Sequence, residues 1–164
     1  MMNAEYIINK YNMKPLPNEG GFYSEVYKSS LDVEISLSQK YRRKAGSAIL
    51  YLITQDNYSL LHKLKHDEIF HFYIGDPVQF FLIDQDGNSK TTIFSNQIDA
   101  GGEPQLIVRA GVWQGLRLVK GGEFAFMGTN VFPGFEYDDF ELGDRKTLID
   151  KYPHLKSDIN SFTR

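Results

Sequence analysis

The stretch His62-Lys63-Leu64-Lys65-His66-Asp67-Glu68-Ile69-Phe70-His71-Phe72-Tyr73-Ile74-Gly75 decides the reading of this chain. It gathers three of the four histidines of a 164-residue sequence around the acidic pair Asp67-Glu68. If residues 58–64 form a strand, alternation puts Leu60, His62 and Leu64 on one face. Lys63 and Lys65 then face the other way, toward solvent. His66-Asp67 makes a turn, and Glu68 opens the next strand on the same face as Phe70 and Phe72. His62 and Glu68 are therefore expected to enter one apolar interior from adjacent strands. A carboxylate there must be paired, metal-bound or protonated, and an imidazole is its natural partner. Alternation sends His71 to the opposite face unless a bulge reverses the parity. His66 is expected to be a solvated turn residue.

Outward from this stretch, the pattern is one of short strands between turns. Candidate strands are 22–28, 33–37, 48–54, 58–64, 69–74, 78–83, 91–94, 106–109, 112–119 and 124–131. Turn chemistry separates them at Asn18-Glu19-Gly20-Gly21, Gln55-Asp56-Asn57, Gly75-Asp76-Pro77, Asp86-Gly87, Gly101-Gly102 and Gly121-Gly122. A short helix is expected over 4–12, capped by Asn3, and another over 145–151, capped by Asp144 and ended near Pro153. A third is expected near 157–162. Many short strands at even spacing predict an all-β sandwich or jelly-roll barrel with short terminal helices. The expected organisation is one domain over 1–164: a helix and turn over 1–21, a barrel over 22–132 and a C-terminal extension over 133–164.

Composition narrows the function classes. Aromatic residues are 14 % of the chain, with 12 Phe and 10 Tyr, which favours strands and a filled interior. The absence of cysteine excludes a disulfide scaffold, a thiolate metal site and a cysteine nucleophile. The net charge is −3, and the basic run Lys40-Tyr41-Arg42-Arg43-Lys44 is too short to indicate nucleic acid. No apolar run reaches membrane-spanning length, and the start lacks the regions of a signal peptide. The expectation is a cytoplasmic protein without nucleic-acid or membrane partners.

Five blocks then occur in order. They are Leu16-Pro17-Asn18-Glu19-Gly20-Gly21-Phe22-Tyr23-Ser24-Glu25, Ile49-Leu50-Tyr51-Leu52, Asp67 to Pro77, Ala110-Gly111-Val112-Trp113-Gln114, and Val131-Phe132-Pro133-Gly134-Phe135 continuing to Glu141. Together they resemble the cupin_5 family, also called DUF985, of the cupin superfamily. The resemblance implies a cupin double-stranded β-helix, similar to metal-free cupins and to the nucleotide-sugar 3,5-epimerases in architecture. It also implies a homodimer. Metal-binding cupins begin their first motif His-x-His and end their second in His. Here Leu64 follows His62 at the second position, and Gln114 stands at the last. No cofactor is favoured; a weakly held divalent metal on His62, Glu68 and Gln114 is the alternative.

The candidate catalytic residues are His62 and Glu68. Candidate ligand contacts are Gln114, Tyr23, Glu25, Tyr51, His71 and Arg42. Tyr23, Glu25 and Tyr27 alternate on one polar, aromatic face, and Tyr51 reads equally as a core tyrosine with a bonded hydroxyl. Arg42 and Arg43 suit an anion but read first as a solvated loop. Trp113, opposite in parity to Gln114, belongs to outer packing or an interface, and Asp138-Asp139 to a capped turn. The expected function is binding of a small polar ligand, of the sugar or nucleotide-sugar class, with metal-independent proton transfer of the epimerase or isomerase kind. Non-catalytic binding and a metal-dependent oxygenase or isomerase are the alternatives. Spacing reveals no second acid opposite His62 and Glu68.

Overall fold

Two facing antiparallel sheets follow from the alternation of large apolar and polar side chains along short strands. The computed structural model describes residues 2–36 and 40–164. The strands are β1 (Lys14–Pro15), β2 (Phe22–Lys28), β3 (Asp32–Ser36), β4 (Lys40–Lys44), β5 (Ser47–Thr54), β6 (Ser59–Leu64), β7 (Asp67–Gly75), β8 (Val78–Ile83), β9 (Ser89–Phe94), β10 (Gln105–Val108), β11 (Trp113–Leu118), β12 (Phe124–Phe132) and β13 (Phe140–Leu142). One sheet has the order β1-β2-β5-β12-β7-β10, the other β13-β6-β11-β8-β9, and β3-β4 form a separate ribbon. The all-β jelly-roll class expected from the sequence is the observed one.

The expected strand 33–37 corresponds to β3, and its last residue, Leu37, lies outside the described residues. Residues 40–44, expected as a solvated loop, form β4. Arg43 is half-buried there because its guanidinium meets Asp139, while Arg42 faces outward. Three short helices, α1 (Ala4–Lys10), α2 (Arg145–Lys151) and α3 (Lys156–Phe162), flank the sheets. Asn3 and Asp144 cap the first two through side-chain bonds to Tyr6 and Thr147 backbone nitrogens, as expected.

The space between the sheets is filled at one end by interlocking aromatics. Phe70 meets Phe80 edge-on at 4.9 Å, and Phe94 meets Phe80 at 5.3 Å and Phe72 at 5.4 Å. Tyr51, Ile53, Leu116 and Met127 complete this cluster. A second cluster lies outside the five-stranded sheet. There α2 and α3 pack Leu148, Ile159 and Phe162 onto Leu61, Phe81 and Trp113. Phe162 comes so close that a Cβ on Gly115 would stand 2.9 Å from its ring. Trp113 is thus outer packing, covered by the C-terminal helices.

Candidate functional site

At the unfilled end of the barrel, β6 and β7 deliver the two residues singled out by the sequence. They are consecutive in the chain but belong to opposite sheets, so His62 and Glu68 face each other across the interior rather than along one sheet. His62 is 1 % exposed, and its Nδ1 lies 2.7 Å from the Leu60 carbonyl oxygen. A carbonyl only accepts, so Nδ1 carries a proton, and Nε2 is the nitrogen left to the cavity. The ring stacks on Phe140 at 5.3 Å. Nε2 has no hydrogen bond among the described residues. Oε2 of Glu19 lies 3.8 Å from it, too far for one.

Glu68 is 7 % exposed and its carboxyl is pushed up to about 7. Burial is the main cause, and the negative charge of Glu19 adds to it; His62, Thr129 and Gln114 pull the other way. The Gln114 amide nitrogen donates to Glu68 Oε2 at 2.7 Å. Gln114 is itself 1 % exposed, and its Oε1 is buried without a partner among the described residues. The amide therefore suits both states of its neighbour. Its N–H₂ end serves the carboxylate, and after a half-turn its oxygen would serve the carboxylic acid.

Glu19 arrives from the turn before β2. Asn18 and Gly20 have φ of 66° and 107° there, and a Cβ on Gly20 would run into the Tyr58 carbonyl. The Gly20 carbonyl accepts the Tyr51 hydroxyl at 2.8 Å, and the Glu19 carbonyl accepts the Leu60 N–H at 2.8 Å. Ser59 Oγ donates to Glu19 Oε1 at 2.9 Å. Backbone and side chain together hold this carboxylate over His62. Burial, reinforced by Glu19, pushes the Tyr51 hydroxyl well above the usual tyrosine range.

These groups wall a cavity of about 160 Å³. Of the expected site residues, His62, Glu68, Tyr23, Glu25 and Tyr51 line it. Gln114 stands behind Glu68, off the wall. His71 points away, its Nδ1 3.2 Å from the Gln105 amide; the β7 bulge at Tyr73 does not turn it inward. Arg42 lies in a separate shallow depression beside the β3-β4 ribbon. Tyr27 also leaves the expected face: a bulge between Glu25 and Tyr27 shifts the register, so Tyr27 is 55 % exposed and Lys28 takes the wall position. Lys28 reaches Glu136 at 2.9 Å across the mouth, flanked by Phe135 and Tyr137.

Sequence reasoning missed Glu19, Lys28, Thr129 and Glu136 as wall residues. Glu19 adds a second carboxyl group that spacing did not reveal, beside His62 rather than across a ligand from it. Its only signal was the block Asn18-Glu19-Gly20-Gly21, which reads as a turn. His66, expected in solvent, is 6 % exposed and lies 3.8 Å from Asp139. It is buried because the β3-β4 ribbon and the 134–139 turn close over it. That turn is capped, as expected, by reciprocal Glu136 and Asp139 bonds.

Residues 5–143 match the family model described as Cupin_5, cupin superfamily (DUF985). The chain belongs to this family. A hypothetical protein from Leishmania major superposes on this cupin with a TM-score of 0.90 at 28 % identity, covering 99 % of each chain. A protein from Shewanella oneidensis does so with a TM-score of 0.89 at 30 % identity, over 100 % of this chain and 99 % of the other. The oxalate decarboxylase of Bacillus subtilis, an enzyme with Mn(II) centres, matches with a TM-score of 0.55 at 12 % identity, over 92 % of this chain and 37 % of its own. That likeness shows the fold alone. No curated protein matches the sequence.

The wall of this cupin does not fit a divalent metal. Among the described residues, no group of three or more His, Asp or Glu is placed to hold one. Leu64 lines the cavity with an apolar side chain, and Gln114 stands off the wall with its amide nitrogen, which cannot ligate a metal, turned to Glu68. No helix among the described residues is long and apolar enough to cross a membrane.

Proposed function

We propose that this cupin binds a small polar molecule in the Glu19–His62–Glu68 cavity and moves a proton on it without a metal. The carrying observation is an imidazole whose Nδ1 is held by the Leu60 carbonyl, leaving Nε2 to the cavity, opposite a buried carboxyl pushed up to about 7 on the facing sheet. His62 Nε2 takes a proton from the ligand, and the imidazolium so formed gains the Glu19 carboxylate as its counter-charge. Glu68, where protonated, returns a proton from the opposite side. Gln114 orients Glu68 and so acts as a positioning residue. This is the chemistry of an epimerase or isomerase.

The sugar class suits the wall, which mixes aromatic faces with hydrogen-bond acceptors. A nucleotide diphosphate arm suits it less, since Lys28 is the one lysine on the wall among the described residues and is already paired with Glu136. The manganese chemistry of oxalate decarboxylase is not carried over, because the donor set differs. The reading includes a single domain over 1–164, a homodimer and a cytoplasmic location. Trp113 is not the dimer contact, since α2 and α3 cover it.

The test is deuterium incorporation from D₂O into carbon positions of ligands found by thermal-shift screening of sugars. The expected result is exchange by native protein, slowed by about 10²–10⁴-fold in His62→Ala. Binding without any exchange, or equal exchange by His62→Ala, leaves non-catalytic ligand binding as the function. Light scattering showing a monomer at micromolar concentration would remove the dimer.

A further inference from the structure

The hydrogen-bonding character of the cavity is one-sided. Glu19 Oε2, an acceptor, and His62 Nε2, the ring nitrogen left over by the Leu60 carbonyl, face one gap 3.8 Å across, and no donor side chain among the described residues stands between them. His62 is 1 % exposed, so Nε2 is served by cavity contents or by nothing. Among the described residues, four glutamate carboxyl groups line the space, those of Glu19, Glu25, Glu68 and Glu136. Against them stands Lys28, which Glu136 neutralises at 2.9 Å. Tyr23 and Tyr137 add aromatic faces at the mouth, which attract cations.

We infer that the ligand carries a protonated amine, its ammonium seated against Glu19 Oε2 and within reach of His62 Nε2. An ammonium brings three donors and a positive charge into a space that offers acceptors and negative charge. A hydroxyl supplies the donor without the charge, and a carboxylate or phosphate would add like charge beside Glu19 and Glu68. The inference rests on the reading of this cavity as a small-ligand site and adds the ligand's charge class. It holds whether or not the ligand is turned over.

Two matched trios test it: glucosamine, glucose and glucose 6-phosphate; and cyclohexylamine, cyclohexanol and cyclohexanecarboxylate. Each is titrated into the full chain at low salt, with occupancy read from the His62 imidazole C–H signals. The amine is expected to bind about tenfold tighter than the alcohol in at least one trio, and the anion more weakly than either. Glu19→Gln should cut that preference to roughly twofold, because the amine loses a counter-charge where the alcohol does not. Glu25→Gln, at the exposed mouth, gives a smaller cut in the same direction and serves if the first variant does not fold. An alcohol or anion that binds as well as the amine in both trios overturns the inference alone. Failure of all six compounds to move the His62 signals overturns the small-ligand reading beneath it.

Discussion

Two buried histidines four residues apart show how one arrangement of groups serves two purposes. His62 has Glu19 at 3.8 Å, and His66 has Asp139 at the same distance. The difference lies in what else touches the carboxylate. Asp139 receives a bidentate Arg43, Nε at 3.1 Å and Nη2 at 3.0 Å, and Tyr41 closes over His66. Every strong charge there has a partner, and the cluster pins the β3-β4 ribbon to the 134–139 turn. Beside His62 no arginine lines the wall. The negative charge of Glu19 adds to the cost of ionising buried Glu68, and the space opens to ligand. Charge compensation, rather than burial or residue type, separates the clamp from the candidate chemistry.

The largest stability effect should fall on the clamp. Arg43→Ala leaves Asp139, 2 % exposed, as an uncompensated buried charge and should cost about 3–5 kcal/mol in urea unfolding. A loss under about 1 kcal/mol would show that the two clusters do not differ in this way.

The site should respond oppositely. Glu68 holds its proton more tightly folded than unfolded, with a folded value of about 7 against 4.5. Between those values the folded state keeps a proton the unfolded chain has released, so stability falls as pH rises through the window. Glu68→Gln removes that penalty. The variant should be more stable than the native protein by about 3 kcal/mol above pH 7, and no more stable near pH 4. A constant difference across pH would break the assignment. His66 works the other way. Burial holds it below the usual histidine value, so its contribution is present above about pH 6.5 and is lost on acidification.

A finer probe is Gln114→Met, which keeps the volume and removes the donor to Glu68. The Glu68 midpoint, followed by carboxyl ¹³C shifts, should rise further, by about one unit or 1.4 kcal/mol. No change would mean that Gln114 packs without positioning. The smallest effect is at the mouth. Lys28→Ala breaks a pair whose side chains are 36 % and 45 % exposed, and should cost less than about 1 kcal/mol.

Much of the fold was legible because alternation and turn residues are local. The boundaries of β2, β8 and α2 coincide with the segments read from sequence. The inward faces of His62 and Glu68 followed from parity alone. Parity failed where the backbone carries an extra residue. The Glu25–Tyr27 bulge exchanged Tyr27 for Lys28, and no side-chain pattern announces it. Strand β4 was missed because its half-buried face is Tyr41 and Arg43, and an arginine reads as solvent until its partner 96 residues away is known. His66 failed for the same reason.

The sequence by itself determined the barrel, its terminal helices and the altered signature with Leu64 and Gln114 in place of histidines. These depend on neighbours within a few residues or on ordered blocks. Tertiary structure alone decided that β6 and β7 lie in opposite sheets, that Glu19 crosses 43 positions of sequence to reach His62, and that Arg43 closes the second histidine cluster. A carboxyl's protonation state depends on the charges within a few ångströms and on the water excluded around it. Folding brings those together from distant parts of the chain.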